Sequence, residues 1–131
     1  MEGKSILVVD DQDGVRRLLV ETFRDQGFSV DLAANGYEAL EKLNDKAPDL
    51  ILLDMKMPGM NGLEVLRQIK QRYPDQAVIM MTAYGELEIV NEAINLGVKE
   101  CITKPFDINQ LRELASSIIA GTYQSSYEIS G

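Results

Sequence analysis

Apolar residues fall along this chain in two rhythms. Three runs, Ile6-Leu7-Val8-Val9, Leu50-Ile51-Leu52-Leu53 and Ala77-Val78-Ile79-Met80-Met81, lack the polar alternation of a half-exposed strand. They fit strands buried on both faces of a parallel sheet. Val30, Leu32 and Ala33 suggest another strand, and a weaker one covers residues 100–103 before Lys104-Pro105 ends it. Between these runs the apolar positions recur at helical spacing. Residues 14–26 carry Val15, Leu18, Leu19, Thr22 and Phe23, with Gly27 as the stop. After a turn at Asn35-Gly36, Ala39, Leu40 and Leu43 mark a short helix that must end before Pro48. Leu63, Leu66 and Ile69 give the inner face of a third helix, opened by Asn61 and Glu64 at capping-pair spacing and ended by Tyr73-Pro74. In a fourth helix over 86–96, Leu87, Val90, Ala93 and Ile94 are expected inward. A fifth over 108–119 buries Leu111, Leu114, Ala115 and Ile118.

Five strand-helix units at short spacing imply an α/β doubly wound fold, a five-stranded parallel sheet with helices on both faces. The expected strand order is 2-1-3-4-5, which places the switch point between the first and third strands. Those strands end in Asp10-Asp11 and Asp54. Beyond Asp54, Pro58 and Gly59 turn the chain at once, Gly59 supplying a positive φ. Thr82 and Lys104 arrive at the same rim from the fourth and fifth strands.

Composition narrows the possibilities. The 131 residues suit one domain over 1–120, with 45% apolar content to bury a core; the polar, aperiodic tail over 121–131 is expected to be disordered or a packing extension. One cysteine and no histidine exclude an internal disulfide and a zinc site built from Cys and His. The stretch before Asp10 holds only four strongly apolar residues in a row, too short for a signal peptide or a membrane span, so a cytoplasmic protein is expected. A formal net charge of −8 without a basic cluster argues against nucleic acid and suits a cation or a basic partner surface.

Three carboxylates at one crevice repel by roughly 4 kcal/mol per close pair at an effective dielectric of about 20. Lys104 offsets part of this, and a hard divalent ion such as Mg²⁺, which takes oxygen ligands and keeps several waters, fits the rest. Free positions on such an ion suit phosphoryl oxygens, with the Thr82 hydroxyl and the Lys104 ammonium as further donors. A carboxylate can attack phosphorus to give an acyl phosphate, and Asp54, central and alone on its strand, is the candidate; Asp10 and Asp11 would hold the metal. Taken singly, each residue has a plainer reading: Asp10-Asp11 as a helix cap, Asp54 as a solvated strand end, Thr82 as strand filler and Lys104 as a surface charge. Their coincidence on one rim favours the chemical reading. A dehalogenase-like phosphatase would want a second aspartate where Lys56 stands. An FMN carrier would want a hydroxyl-rich phosphate loop where Asp10-Asp11 stand.

In order and spacing, Val8-Val9-Asp10-Asp11, the run from Leu53-Asp54-Met55-Lys56 through Pro58-Gly59 to Asn61-Gly62, Met81-Thr82-Ala83 and Lys104-Pro105-Phe106 resemble the motifs of bacterial response-regulator receiver domains, a flavodoxin-like fold. The match covers about residues 4 to 120. Asp10-Asp11-Gln12, Asp54-Met55-Lys56, Thr82-Ala83-Tyr84-Gly85-Glu86-Leu87 and Lys104-Pro105-Phe106-Asp107-Ile108 are most similar to the single-domain regulators of sporulation phosphorelays. The resemblance implies that Asp54 accepts a phosphoryl group from the phosphohistidine of a sensor histidine kinase and passes it to a histidine phosphotransferase. The chain would then catalyse its own phosphorylation and slow dephosphorylation rather than turn over a substrate. Asp11, Asp54 and the Lys56 backbone carbonyl would bind Mg²⁺, or Mn²⁺ in its place, with Asp10 acting through water. Thr82 and Lys104 would hold phosphoryl oxygens, and Lys104-Pro105 would be a cis peptide.

The implied partner surface comprises Gln12, Gly14, Val15, Leu18, Lys56, Tyr84, Leu87, Pro105 and Phe106, with Val15, Leu18 and Leu87 as apolar docking points, although Val15 and Leu18 fit a core equally. A regulatory phosphatase is a further partner, and a monomer is expected. Lys56 and Tyr84 are larger than the chemistry needs and would screen the phosphorus from water. Receivers commonly carry an aromatic switch residue three positions before the lysine; here Cys101 stands there, which favours a relay intermediate over an aromatic-driven output. The competing readings are a receiver that controls a partner directly and a receiver-shaped module that binds without phosphorylation.

Overall fold

The computed structural model describes residues 3–83 and 85–124. Strands and helices alternate: β1 (Ser5–Val9), α1 (Asp13–Asp25), β2 (Ser29–Ala33), α2 (Gly36–Leu43), β3 (Leu50–Asp54), α3 (Gly62–Arg72), β4 (Val78–Ala83), α4 (Leu87–Asn95), β5 (Glu100–Lys104) and α5 (Ile108–Ala120). The strands form one parallel sheet in the order β2-β1-β3-β4-β5, as the sequence pattern predicts. Register sets β1 between its neighbours, with Val9 opposite both Ala33 and Leu53.

Side chains on a strand point alternately to opposite faces, so the unbroken runs feed two cores at once. Leu7, Val9, Ile51, Leu53, Val78 and Met80 pack with residues of α2, α3 and α4. Ile6, Val8, Leu50, Leu52, Ile79 and Met81 pack with Leu19 and Phe23 of α1 and Leu111 and Ala115 of α5. Leu50, Ile51, Leu52 and Leu53 are wholly buried. At about 1.5–3 kcal/mol for each such side chain, burial fixes the height and rotation of β3 far more firmly than any polar contact at its end.

Several helix faces differ from the sequence pattern. Leu87 is 73% exposed instead of inward, and Ile89, Ala93 and Ile94 carry the packing of α4. Leu18 is 47% exposed, which removes it from the core, whereas half-buried Val15 packs on the α1/α5 side. In α3 the buried positions are Val65, Leu66 and Ile69, with Leu63 half-buried against them. Asn61 caps α3 by accepting from the Glu64 N–H at 3.0 Å, but the Glu64 carboxylate turns to Arg67 and Gln68 and does not close the reciprocal bond. Asn35-Gly36 is a helix start rather than a turn: Asn35 caps α2 by accepting from the Glu38 N–H at 2.9 Å. β4 continues through Thr82 to Ala83. At the far end, the Tyr123 hydroxyl donates to the Glu100 carboxylate, so the start of the tail packs; 125–131 lie outside the described residues.

Two glycines shape the β3–α3 connection. Gly59 has φ 85°, the positive angle expected after Pro58. Gly62 is needed for space: a Cβ there would meet the Asp54 carbonyl oxygen at 2.6 Å and the Met55 Cα at 2.8 Å. Its N–H donates to the Met55 carbonyl at 2.9 Å, so the first turn of α3 lies directly on the backbone that carries Asp54.

Candidate functional site

The carboxyl ends of β1, β3, β4 and β5 converge on one cleft of about 260 Å³, lined by Asp11, Gln12, Asp54, Met55, Lys56, Thr82, Ala83 and Lys104. Asp10 lies beneath it, wholly buried and fully engaged. Its N–H continues the sheet by donating to the Ala33 carbonyl, one carboxylate oxygen accepts from the Gln12 N–H at 2.9 Å, and the other accepts from Lys104 Nζ at 2.6 Å. Its backbone carbonyl accepts from Arg16 at 2.6 Å. Asp11 is exposed at the mouth.

Asp54, the last residue of β3, is 5% exposed and lies 3.3 Å from Lys104 Nζ. Asp10, Asp11 and Asp54 each bring an oxygen within 4.8 Å of the others. Burial first, and then the charge of Asp10, push the Asp54 carboxyl up to about 6, while Lys104 and the Lys56 N–H oppose the rise. On Lys104, burial pulls the ammonium down, but the hydrogen bond and charge of Asp10, with the charge of Asp54, outweigh it and hold the group above its ordinary value. Three carboxylates therefore face one ammonium, and negative charge remains to be met. Clustered hard oxygens with an exposed member at the mouth are a donor set that fits Mg²⁺.

Thr82 is buried beside the cleft, and its hydroxyl donates to the Ile102 carbonyl at 3.3 Å. Lys104-Pro105 is cis, as the resemblance implies. Asp10, Asp11, Asp54, Thr82 and Lys104 are thus brought together, as expected from the strand order, with Lys56, which the resemblance implies, and Gln12 beside them. Gly14, Leu18, Leu87 and Pro105 are exposed, and Phe106 is half-buried on the α1/α5 core. Tyr84 lies outside the described residues. Cys101 is half-buried against the α2–α4 core, and burial, aided by Glu100, pushes its thiol up to about 11, which leaves it a packing residue.

Two residues near the site escape sequence reasoning. Arg16 braces the Asp10 carbonyl and pairs with Asp13. Glu86 lies 3.4 Å from Lys56 Nζ. A lone acid at a helix start reads as a dipole partner, so neither position carries a signal of its contact in the sequence.

Residues 6–116 match the family described as response regulator receiver domain. The chain is 47% identical over 113 residues to sporulation initiation phosphotransferase F of Bacillus subtilis, covering 86% of this chain and 91% of that protein. It is 39% identical over 120 residues to the DNA-binding transcriptional regulator NtrC of Escherichia coli, covering 92% of this chain but 26% of that one. Among solved structures, a CheY-like receiver domain protein from Methanospirillum hungatei superposes with a TM-score of 0.87 at 30% identity, covering 91% of this chain and 95% of that one.

Proposed function

The chain belongs to the response-regulator receiver family, and on that premise we propose that it accepts a phosphoryl group on Asp54 from a sensor kinase phosphohistidine and relays it to a histidine of a downstream phosphotransferase. The observation that carries this reading is the convergence of Asp10, Asp11 and Asp54 within 4.8 Å beside the Lys104 ammonium. An oxygen of the Asp54 carboxylate forms the new bond to phosphorus as the bond from phosphorus to the donor's imidazole nitrogen breaks; that nitrogen keeps the electron pair, and the ring, already carrying a proton on its other nitrogen, departs as neutral imidazole. Lys104 holds a phosphoryl oxygen, moving little from its place 3.3 Å from Asp54. Thr82 gives up its bond to the Ile102 carbonyl to donate to another.

Asp11, Asp54 and the Lys56 carbonyl would hold Mg²⁺, or Mn²⁺, with Asp10 behind them through water. When bound, the ion supplies the positive charge that keeps Asp54 ionised and neutralises the phosphoryl oxygens. Onward transfer is supported by the similarity to a relative named as a phosphotransferase across nearly its whole length, and by Cys101, too small for an aromatic-type switch. Partners follow from the same reading: a sensor histidine kinase, a histidine phosphotransferase and a regulatory phosphatase. The match to NtrC favours a second reading, a receiver that controls a partner's output directly. Among the described residues no helix is long and apolar enough to cross a membrane.

Incubation with acetyl phosphate and Mg²⁺, followed by intact mass, tests the chemistry. The expected outcome is a gain of one phosphoryl group, abolished in Asp54→Asn and by chelation. Subsequent mixing with histidine phosphotransferase domains separates the two readings, since only a relay hands the label on.

A further inference from the structure

Glu86 is an unusual carboxylate for its position. It precedes α4 as the N-cap residue, yet its side chain makes no capping bond. Both carboxylate oxygens are buried without a hydrogen-bond partner among the described residues. A buried carboxylate in that state is costly unless a cation compensates it. The compensating cation is the Lys56 ammonium, 3.4 Å away on a side chain that is itself 77% exposed.

The pair links the segments that follow two strands bordering the cleft. Lys56 stands two residues beyond β3 and Glu86 three beyond β4, and these strands are neighbours in the sheet. The cleft between them is walled by Met55 and Lys56 on one side and Thr82 and Ala83 on the other. Lys56 lines this cleft together with Asp54, and its ammonium reaches from the β3 side to Glu86 on the β4 side. An unanchored lysine stem would swing freely in water.

We propose that Glu86 is a positioning residue: it anchors the Lys56 ammonium so that the stem bars the cleft, and this pair sets how long a phosphoryl group on Asp54 survives attack by water. The inference rests on the proposed phosphoryl transfer to Asp54. It assigns to Glu86 an effect that reaches the reacting atoms only through Lys56.

The test uses the full chain labelled with acetyl phosphate, and follows loss of the phosphoryl group by intact mass at saturating Mg²⁺ in wild type, Lys56→Ala, Glu86→Gln, the double variant and Lys56→Arg. Glu86→Gln is expected to shorten the lifetime on the order of fivefold, the rate equivalent of a partly exposed ion pair. Lys56→Ala should shorten it at least as much, the double variant no further than Lys56→Ala alone, and Lys56→Arg should keep it within about twofold of wild type because the anchor is retained. An unchanged lifetime in Glu86→Gln, or a double variant whose loss is the product of the two single losses, overturns the proposal.

A second measurement needs no phosphorylation. In metal-free protein, Lys56→Ala should lower the thermal midpoint by roughly 4–8 °C by stranding the buried carboxylate, and Glu86→Gln in that background should restore it. Equal melting of Lys56→Ala and the double variant would show that no such anchor exists. Failure of wild type to gain a phosphoryl group would instead overturn the functional reading and the lifetime claim with it, while the melting comparison decides the anchor by itself.

Discussion

At the scale of single residues, Asp54 carries an electrostatic cost that should be measurable in the absence of metal. Its carboxyl titrates near 6 in the fold against 3.8 for the ordinary side chain, because it is buried and faces Asp10. Between those two values the folded protein holds a proton that the unfolded chain releases. Stability contributed by this group therefore falls as the pH rises through that window, and the deficit is complete above the folded value. Asp54→Asn removes the deficit. Urea unfolding in the presence of a chelator should show the variant more stable than wild type by about 1–3 kcal/mol at neutral pH, and no more stable below pH of about 4. Equal stabilities at neutral pH would mean that the carboxylate is better compensated than its neighbours indicate. The chemical types of this cluster were legible because strand order alone puts the ends of β1 and β3 side by side. The Lys56–Glu86 contact was not, since it depends on where two loops travel after leaving the sheet, and a single charged residue in a loop has no periodicity to betray its direction.

At the scale of elements, the unbroken apolar runs of β1, β3 and β4 announced strands covered on both faces, and the two cores account for every residue in them. Helical spacing identified the helices but overstated their inner faces. Leu18 and Leu87 lie in phase with buried neighbours, yet both stand exposed. Periodicity tells which way a side chain points around the helix axis; whether another element covers it there is decided by tertiary packing. Val65 shows the converse: it lies beside the Leu66 and Ile69 stripe and is wholly buried, its side chain filling the space left by Gly36 of α2. The seating of α3 depends on Gly62. A methyl group at this position would strike the backbone of Asp54 and Met55, neither of which can retreat as a flexible side chain would. Gly62→Ala should therefore cost about 1–3 kcal/mol by chemical denaturation, and should also slow phosphoryl uptake from acetyl phosphate, because the displaced atoms belong to the nucleophile's own residue. Loss of stability with an unchanged uptake rate would show that α3 yields without moving Asp54.

At the scale of the whole molecule, the sheet is polarised. Its carboxyl edge gathers the acidic cluster, Thr82 and Lys104, whereas the opposite edge takes up the beginnings of the strands, where Asp49 accepts from the Ser5 N–H at 2.8 Å and the Tyr123 hydroxyl reaches Glu100. The chain thus enters β1 and leaves α5 at the edge remote from the cleft. A fluorescent label, a purification handle or the surface of a sensor chip joined to either end of the chain is therefore attached beyond described residues that lie on the side away from Asp54. Molecules immobilised by one end or by the other should take up the phosphoryl group at the rate of free protein, within about twofold, when uptake is followed with radiolabelled donor. A marked loss on only one of the two attachments would reveal that the corresponding end folds back across the site.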